Sequence, residues 1–196
     1  AWAQALAPLD GNAALALDAA EYATLSGQAP MAAARELAVQ EASVPLTDAL
    51  KAEFADRLAG LSVGHAPFHI DILLTGDVPV ADRVVQVAGS PVLVRFRTGA
   101  YATHHQLVVA LALHQTEIRA SLTQPPGIGV DPRIGALVVM VARADAEAEP
   151  GDALRDRIAR IAGVPVRIAT LDTSDSDLAD LQGGARLAGI ARGNSR

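Results

Sequence analysis

The chain has 196 residues, a formal net charge of −6, no cysteine and only 3% aromatic residues. The missing cysteine excludes disulfide frameworks, thiolate zinc sites and cysteine nucleophiles. An acidic chain poor in rings is badly suited to nucleic acid, which selects basic faces and stacking platforms.

Half of the chain (51%) is apolar, enough at this length to bury a real core. No unbroken apolar run exceeds the seven residues of Leu107 to Leu113, against the roughly 20 that a spanning helix needs. No membrane partner is therefore expected. The opening Ala1-Trp2-Ala3-Gln4 has the small-x-small spacing that precedes a signal-peptidase cut, and reads either as the stub of an export signal or as an ordinary alanine-rich terminus.

Residues 1–45 read as an alanine-rich helical arm. One helix spans Asn12 to Leu25 and stops at Ser26-Gly27; a second spans Met31 to Ala42 behind Pro30, a residue that the first helical turn tolerates. Alanine favours helix but gives these segments little to bury, so they must lean on something else.

Residues 46–124 read as a first α/β unit. Leu50, Phe54, Leu58 and Leu61 recur every three or four residues, which predicts a helix capped by Thr47 and ending near Gly60. The period then changes. Leu61 to His65 and Phe68 to Leu74 predict strands around His65-Ala66-Pro67, the second with Phe68, Ile70, Ile72 and Leu74 alternating against His69, Asp71 and Leu73. Arg83 to Val87 and Val92 to Phe96 predict another pair around Ala88-Gly89-Ser90-Pro91. Thr103-x-x-Gln106 is a capping box, opening a helix with Leu107, Leu111 and Ile118 on one stripe.

Pro125-Pro126-Gly127 marks a boundary, and residues 125–171 read as a second α/β unit. Gly127 to Val130 predicts a short strand, Asp131 to Gly135 a turn, and Ala136 to Ala142 a β-branched strand. An alanine-rich connector, Ala142 to Ala148, leads to an amphipathic helix over Gly151 to Ala162, with Leu154, Ile158 and Ile161 inside and Gly163 at its end. Val164 to Leu171 predicts a last strand. Residues 172–196 lose periodicity and read as a linker and tail, acidic at Asp172, Asp175, Asp177 and Asp180. The expected fold is α+β: a helical arm, then two small tandem units, each a short antiparallel sheet packed on a helix.

Catalytic machinery is not visible in this pattern. No Gly-x-Ser-x-Gly and no Gly-Asp-Ser-Gly occurs. His65 and His69 stand about 13 Å apart on extended chain, at about 3.3 Å per residue, and Pro67 between them blocks the helix that would bring them together. His104 and His105 diverge at a helix start, and His114 lies further along that helix; all five histidines read as solvated or core-edge. Asp71 and Asp77 read as strand-end solvation. Gly127-Ile128-Gly129 is half of a phosphate loop, without the helix and lysine that would complete it. Arg95 and Arg97 flank Phe96 on one strand, either as an ordinary exposed sheet face or as a charged binding face. No cofactor, metal or catalytic residue is assigned.

The segment Gly129-Val-Asp-Pro-Arg-Ile-Gly-Ala-Leu-Val-Val-Met-Val141 resembles the pro-region of secreted bacterial chymotrypsin-like serine proteases, the alpha-lytic protease and streptogrisin group, where a Val-Asp-Pro turn precedes a Val-rich strand. The Val92 to Arg97 strand with the Gln106 to Arg119 helix, the Val164-Pro-Val-Arg-Ile168 strand and the arm over Glu21 to Glu41 are similar to that family in the same order. Gly183-Gly184-Ala185-Arg186-Leu187 resembles the first strand of the mature enzyme.

This resemblance implies a secreted or periplasmic, non-catalytic folding chaperone and inhibitor, monomeric when free, whose partner is its cognate serine protease domain. The reading frame would continue past Arg196 into that protease. The implied protease-contact strand is Val164, Val166, Arg167, Ile168, Ala169, Thr170 and Leu171, adding to a β-edge of the enzyme while the tail occupies its cleft. Processing would fall near Leu178, Leu181 and Gln182. The alternative reading is an independent α/β ligand- or protein-binding regulatory module.

Overall fold

A computed structural model describes residues 11–65, 67–149 and 152–171. The fold is α+β, with helices, an N-terminal helical segment and two small sheets. Two compact units divide the chain. The first comprises Ala1–His104 with Pro132–Gly135; the second comprises His105–Asp131 with Ala136–Arg196. The sequence pattern put the boundary at 124/125. The helix over 104–120 instead groups, apart from its first residue, with the second unit.

In the first unit, α1 (Gly11–Ser26) and α2 (Pro30–Ala42) form the arm, and α3 (Val44–Glu53) follows at once. Pro30 and Pro45 occupy first turns, where a missing N–H costs nothing. The arm buries small residues, Ala19, Ala23 and Ala33, and one larger one, Val39. That suits helices rich in alanine, which approach closely and contribute little area each.

The helix predicted from Leu50, Phe54, Leu58 and Leu61 ends early. Residues 54–57 are a turn, in which Phe54 O accepts from both Arg57 N and Leu58 N, and the chain leaves as β1 (Leu58–Gly64). Arg57 fixes that exit by donating to the carbonyls of Thr75 and Val78. Leu58 and Leu61 reach the same core as Leu50 and Phe54, but from a strand. Thr47 is no cap; its hydroxyl donates to Val44 O inside the helix.

Four strands follow in the order β1-β2-β4-β3, with β2 (His69–Thr75), β3 (Arg83–Val87) and β4 (Ser90–Ala100). The alternation in β2 holds: Ile70, Ile72 and Leu74 are fully buried, beside Val92 and Val94 of β4. Val39, Leu50, Phe68 and Val87 complete this core. The β3–β4 turn is the two residues Ala88 and Gly89, both at positive φ, the primed hairpin geometry. Pro91 fits inside β4 because Ser90 and Val92 carry the hydrogen bonds to β3, and pairing with β2 begins only at Leu93.

The second unit contains α4 (His104–Ala120, from residue 105), β5 (Gly127–Asp131), β6 (Ala136–Ala142), α5 (Arg143–Ala148), α6 (Ala153–Ala162) and β7 (Val166–Leu171). Leu107, Ala110 and Ile118 are the buried stripe of α4. Leu137, Val139 and Val141 of β6 and Leu154, Ile158 and Ala162 of α6 are buried. The left-handed Gly163 (φ 67°) ends α6, donating its N–H to Ala159 O, as its position predicts.

Neither sheet is purely antiparallel, contrary to the sequence expectation. β2 runs parallel to β4, and β6 runs parallel to β7. Period two reports which face a residue occupies and is silent on strand direction. In the second unit the helical connection between β6 and β7 is itself the reason: a crossover of that length returns the chain alongside in the same direction. In the first unit the β3–β4 hairpin turns back so that β4, and not β3, lies against β2. The alanine-rich connector contains α5.

Candidate functional site: the open edge of the second sheet

The second sheet has the order β5-β6-β7, so β7 is an edge strand. Its register on β6 runs from Leu137↔Val166 to Ala142↔Leu171. Leu137 N donates to Pro165 O at 2.9 Å. In a parallel ladder that bond sets the alternation. Residues 165, 167, 169 and 171 turn their backbone groups toward β6, and Val166, Ile168 and Thr170 turn theirs outward. Among the described residues the outward row has no strand beside it.

Side-chain burial along β7 is graded, not strictly alternating. Val166 is buried, Ile168, Ala169 and Leu171 are half-buried, and Arg167 and Thr170 are exposed. Arg167 NH2 lies 3.6 Å from Asp131 Oδ2, across β6 at the end of β5. Of the sequence-derived contact residues, Val166, Arg167, Ile168, Ala169, Thr170 and Leu171 form the strand, and Val164 sits two residues before it. Leu178, Leu181 and Gln182 lie outside the described residues, as does Gly183 to Leu187.

Arg95 and Arg97 do not form a bare charged face. Arg95 holds Asp71 bidentately, Nε to Oδ1 at 2.7 Å and NH2 to Oδ2 at 3.0 Å, from neighbouring positions in the β2–β4 register. His69 completes the cluster: its Nδ1–H donates to Pro67 O at 2.8 Å, which leaves Nε2 to accept from Arg95. Asp82, the residue before β3, accepts from Phe96 N through Oδ1 at 2.9 Å. A cavity of about 320 Å³ lies here, lined by Asp71, Asp82, Arg95, Phe96 and Arg97. The acceptor atoms of His69 and Asp71 are thus engaged by Arg95, an arrangement that orders this sheet face.

Two further polar centres escaped the sequence reading. Glu36 on α2 accepts from Tyr22 of α1 (3.0 Å), Gln28 (3.1 Å) and His65 at the end of β1 (2.7 Å). Burial pushes the Glu36 carboxyl up, but the hydrogen bonds from Gln28, His65 and Tyr22 and the attraction of His65 outweigh it and hold the group below its usual value. Burial, then the bond to Glu36 and its charge, hold the Tyr22 hydroxyl above the ordinary 10.0. His65 and His69 therefore serve separate clusters. In the second unit Asp145 of α5 accepts from the hydroxyl and amide of Thr123 (2.7 and 3.0 Å) and from Gln124 N (3.3 Å). Neither centre has a signal in the periodicity, because the partners of Glu36 lie 8, 14 and 29 residues away and those of Asp145 21 and 22.

No family model matches the chain, and no curated protein matches it.

Proposed function

We propose that this chain is the pro-region of a secreted chymotrypsin-like serine protease and acts as its folding chaperone and inhibitor. The single observation that supports this reading is β7: an edge strand with its outward backbone row unpaired among the described residues, in the segment that the resemblance to protease pro-regions names as the contact strand. An extended β-edge of the protease adds to Val166, Ile168 and Thr170 through main-chain hydrogen bonds, and the chain beyond Leu171 enters the cleft. A protease barrel of high contact order folds slowly, so a partner that binds its folding transition state speeds folding. The same contacts, kept after folding, inhibit.

The purified chain is expected to inhibit the mature protease encoded downstream and to accelerate its refolding from denaturant. Deletion of Val164 to Asp172 is expected to abolish inhibition. Absence of both effects at micromolar concentration refutes the proposal; full inhibition by the deleted chain refutes the assignment of β7.

A second reading, an independent binding module, draws on the 320 Å³ cavity beside Arg95 and Arg97, which falls within the size range of small-ligand sites. A chain that binds a small polar ligand there and has no effect on the protease would favour it.

A further inference from the structure

A second cavity, of about 170 Å³, opens between α2, the segment before β2 and the start of β4. Its floor is apolar. Val39, Phe68 and Val92 are each less than a tenth exposed and belong to the main core, while Pro67 and Pro91 form walls. A dry cavity of about 150 Å³ accommodates benzene, so this one has room for a single ring-sized or branched aliphatic group.

Its polar lining is uneven. Glu36 is committed to Tyr22, Gln28 and His65 through both carboxylate oxygens. Arg35 is exposed and has no hydrogen-bond or ion-pair partner among the described residues. Ser90 adds a hydroxyl. A guanidinium at the mouth of an apolar cavity matches a carboxylate carried on hydrocarbon, through charge-assisted hydrogen bonds. The neighbouring Glu36 carboxylate disfavours a second negative charge, which selects a monoanion over a phosphate or a diacid.

We propose that this cavity binds a small aliphatic monocarboxylate, with its hydrocarbon on Val39, Phe68 and Val92 and its carboxylate on Arg35. The site uses none of the residues of the β7 edge, so it stands or falls separately from the protease reading.

The test is titration of the full chain with isovalerate, followed by amide NMR. Isovaleramide serves as the uncharged control, and an acetylated dipeptide ending in free leucine serves as a second source of the same group. The expected result is saturable shift changes centred on α2, Phe68 and Ser90. Isovaleramide and Arg35→Gln are each expected to weaken binding roughly tenfold or more, the value of one charged hydrogen bond. Tighter binding of the dipeptide than of isovalerate, at the same residues, identifies a peptide C-terminus as the source; weaker binding identifies the free acid.

No saturable change at these residues from either carboxylate overturns the proposal. So does equal affinity for acid and amide. Arg35 is exposed, so Arg35→Gln is expected to keep its spectrum elsewhere; should that variant unfold, the comparison of acid with amide on the unaltered chain still decides.

Discussion

Arg167 of β7 reaches across β6 to within 3.6 Å of Asp131 at the end of β5. The two side chains differ in setting: the Asp131 side chain is 9% exposed and that of Arg167 is 54% exposed. A solvated partner at this distance contributes little by itself, so Arg167→Ala is expected to change stability by less than about 1 kcal/mol. Arg167→Glu sets a second carboxylate beside Asp131 and is expected to lower the melting temperature, with part of the loss recovered at high salt. Melting curves at low and high sodium chloride check both. A salt-independent loss would mean that packing of the arginine stem, and not charge, governs the position.

The alternation of backbone groups along β7 gives a sharper test. Thr170 is exposed and its N–H points outward, so proline there removes an edge donor and no ladder bond. Thr170→Pro is expected to leave stability within about 1 kcal/mol and to weaken inhibition of the protease. Ala169 directs its N–H at β6, and Ala169→Pro removes a ladder hydrogen bond and is expected to destabilise the chain more than Thr170→Pro does. Denaturant melts separate the two. Equal destabilisation by both would show that the outward row is not at 166, 168 and 170.

Strand and helix positions were largely legible because burial follows period. β3 and β6 span Arg83–Val87 and Ala136–Ala142, the ranges that their β-branched content predicts, and Ile70, Ile72 and Leu74 alternate inward. The failures share a physical origin. Leu50, Phe54, Leu58 and Leu61 have helical spacing, yet a turn at 54–57 lets a strand deliver the last two to the same core. Parallel pairing of β2 with β4 depends on a hairpin that period two does not encode. Within the candidate site, the strand β7 was legible but its place at the sheet edge was not, since the same alternation suits an inner strand. Arg95 and Asp71 become a pair only once the β2–β4 register is known.

The Glu36 network ties α1 and α2 to the end of β1, and its pH response has a definite sign. The folded Glu36 carboxyl titrates below its ordinary 4.5, so its stabilising effect is complete above that value and is lost as pH falls through the lower, folded one. The arm is expected to loosen on acidification below about pH 4.5, seen as changes at the amides of α1 and α2 before those of the sheets. Glu36→Gln is expected to weaken the arm by about 1–2 kcal/mol at neutral pH and to flatten this acid response. An unchanged acid response in Glu36→Gln would assign it to another group.

The Ala88-Gly89 turn carries a visible conformational cost. Ala88 sits at φ 46°, a left-handed conformation that disfavours a Cβ by about 1–2 kcal/mol. Asn tolerates that conformation and precedes glycine in the preferred two-residue hairpin turn. Ala88→Asn is expected to stabilise the chain by about 0.5–1 kcal/mol, read as a higher urea midpoint at unchanged slope. Gly89→Ala, at φ 75° with open space around the added carbon, is expected to destabilise through conformation alone.

Asp145 gathers three hydrogen bonds from Thr123 and Gln124 onto one carboxylate, and so fixes the segment that leads from α4 toward β5. The hydroxyl and amide of Thr123 and the amide of Gln124, together with the charge of Arg157, outweigh its burial and hold it below the ordinary 3.8. Its stabilising effect is therefore complete above that pH and disappears only as pH falls through the lower, folded value. Asp145→Ala leaves three donors to find water and is expected to lower the melting temperature of the second unit by several degrees. Asp145→Asn keeps one acceptor and is expected to lose less, with a weaker dependence of stability on pH in that window. Melting temperatures of the unaltered chain and the two variants, from neutral to strongly acid pH, check this. Equal melting of the Asp145→Ala and Asp145→Asn chains would mean that the charge of the carboxylate, and not the geometry of acceptance, carries the whole effect.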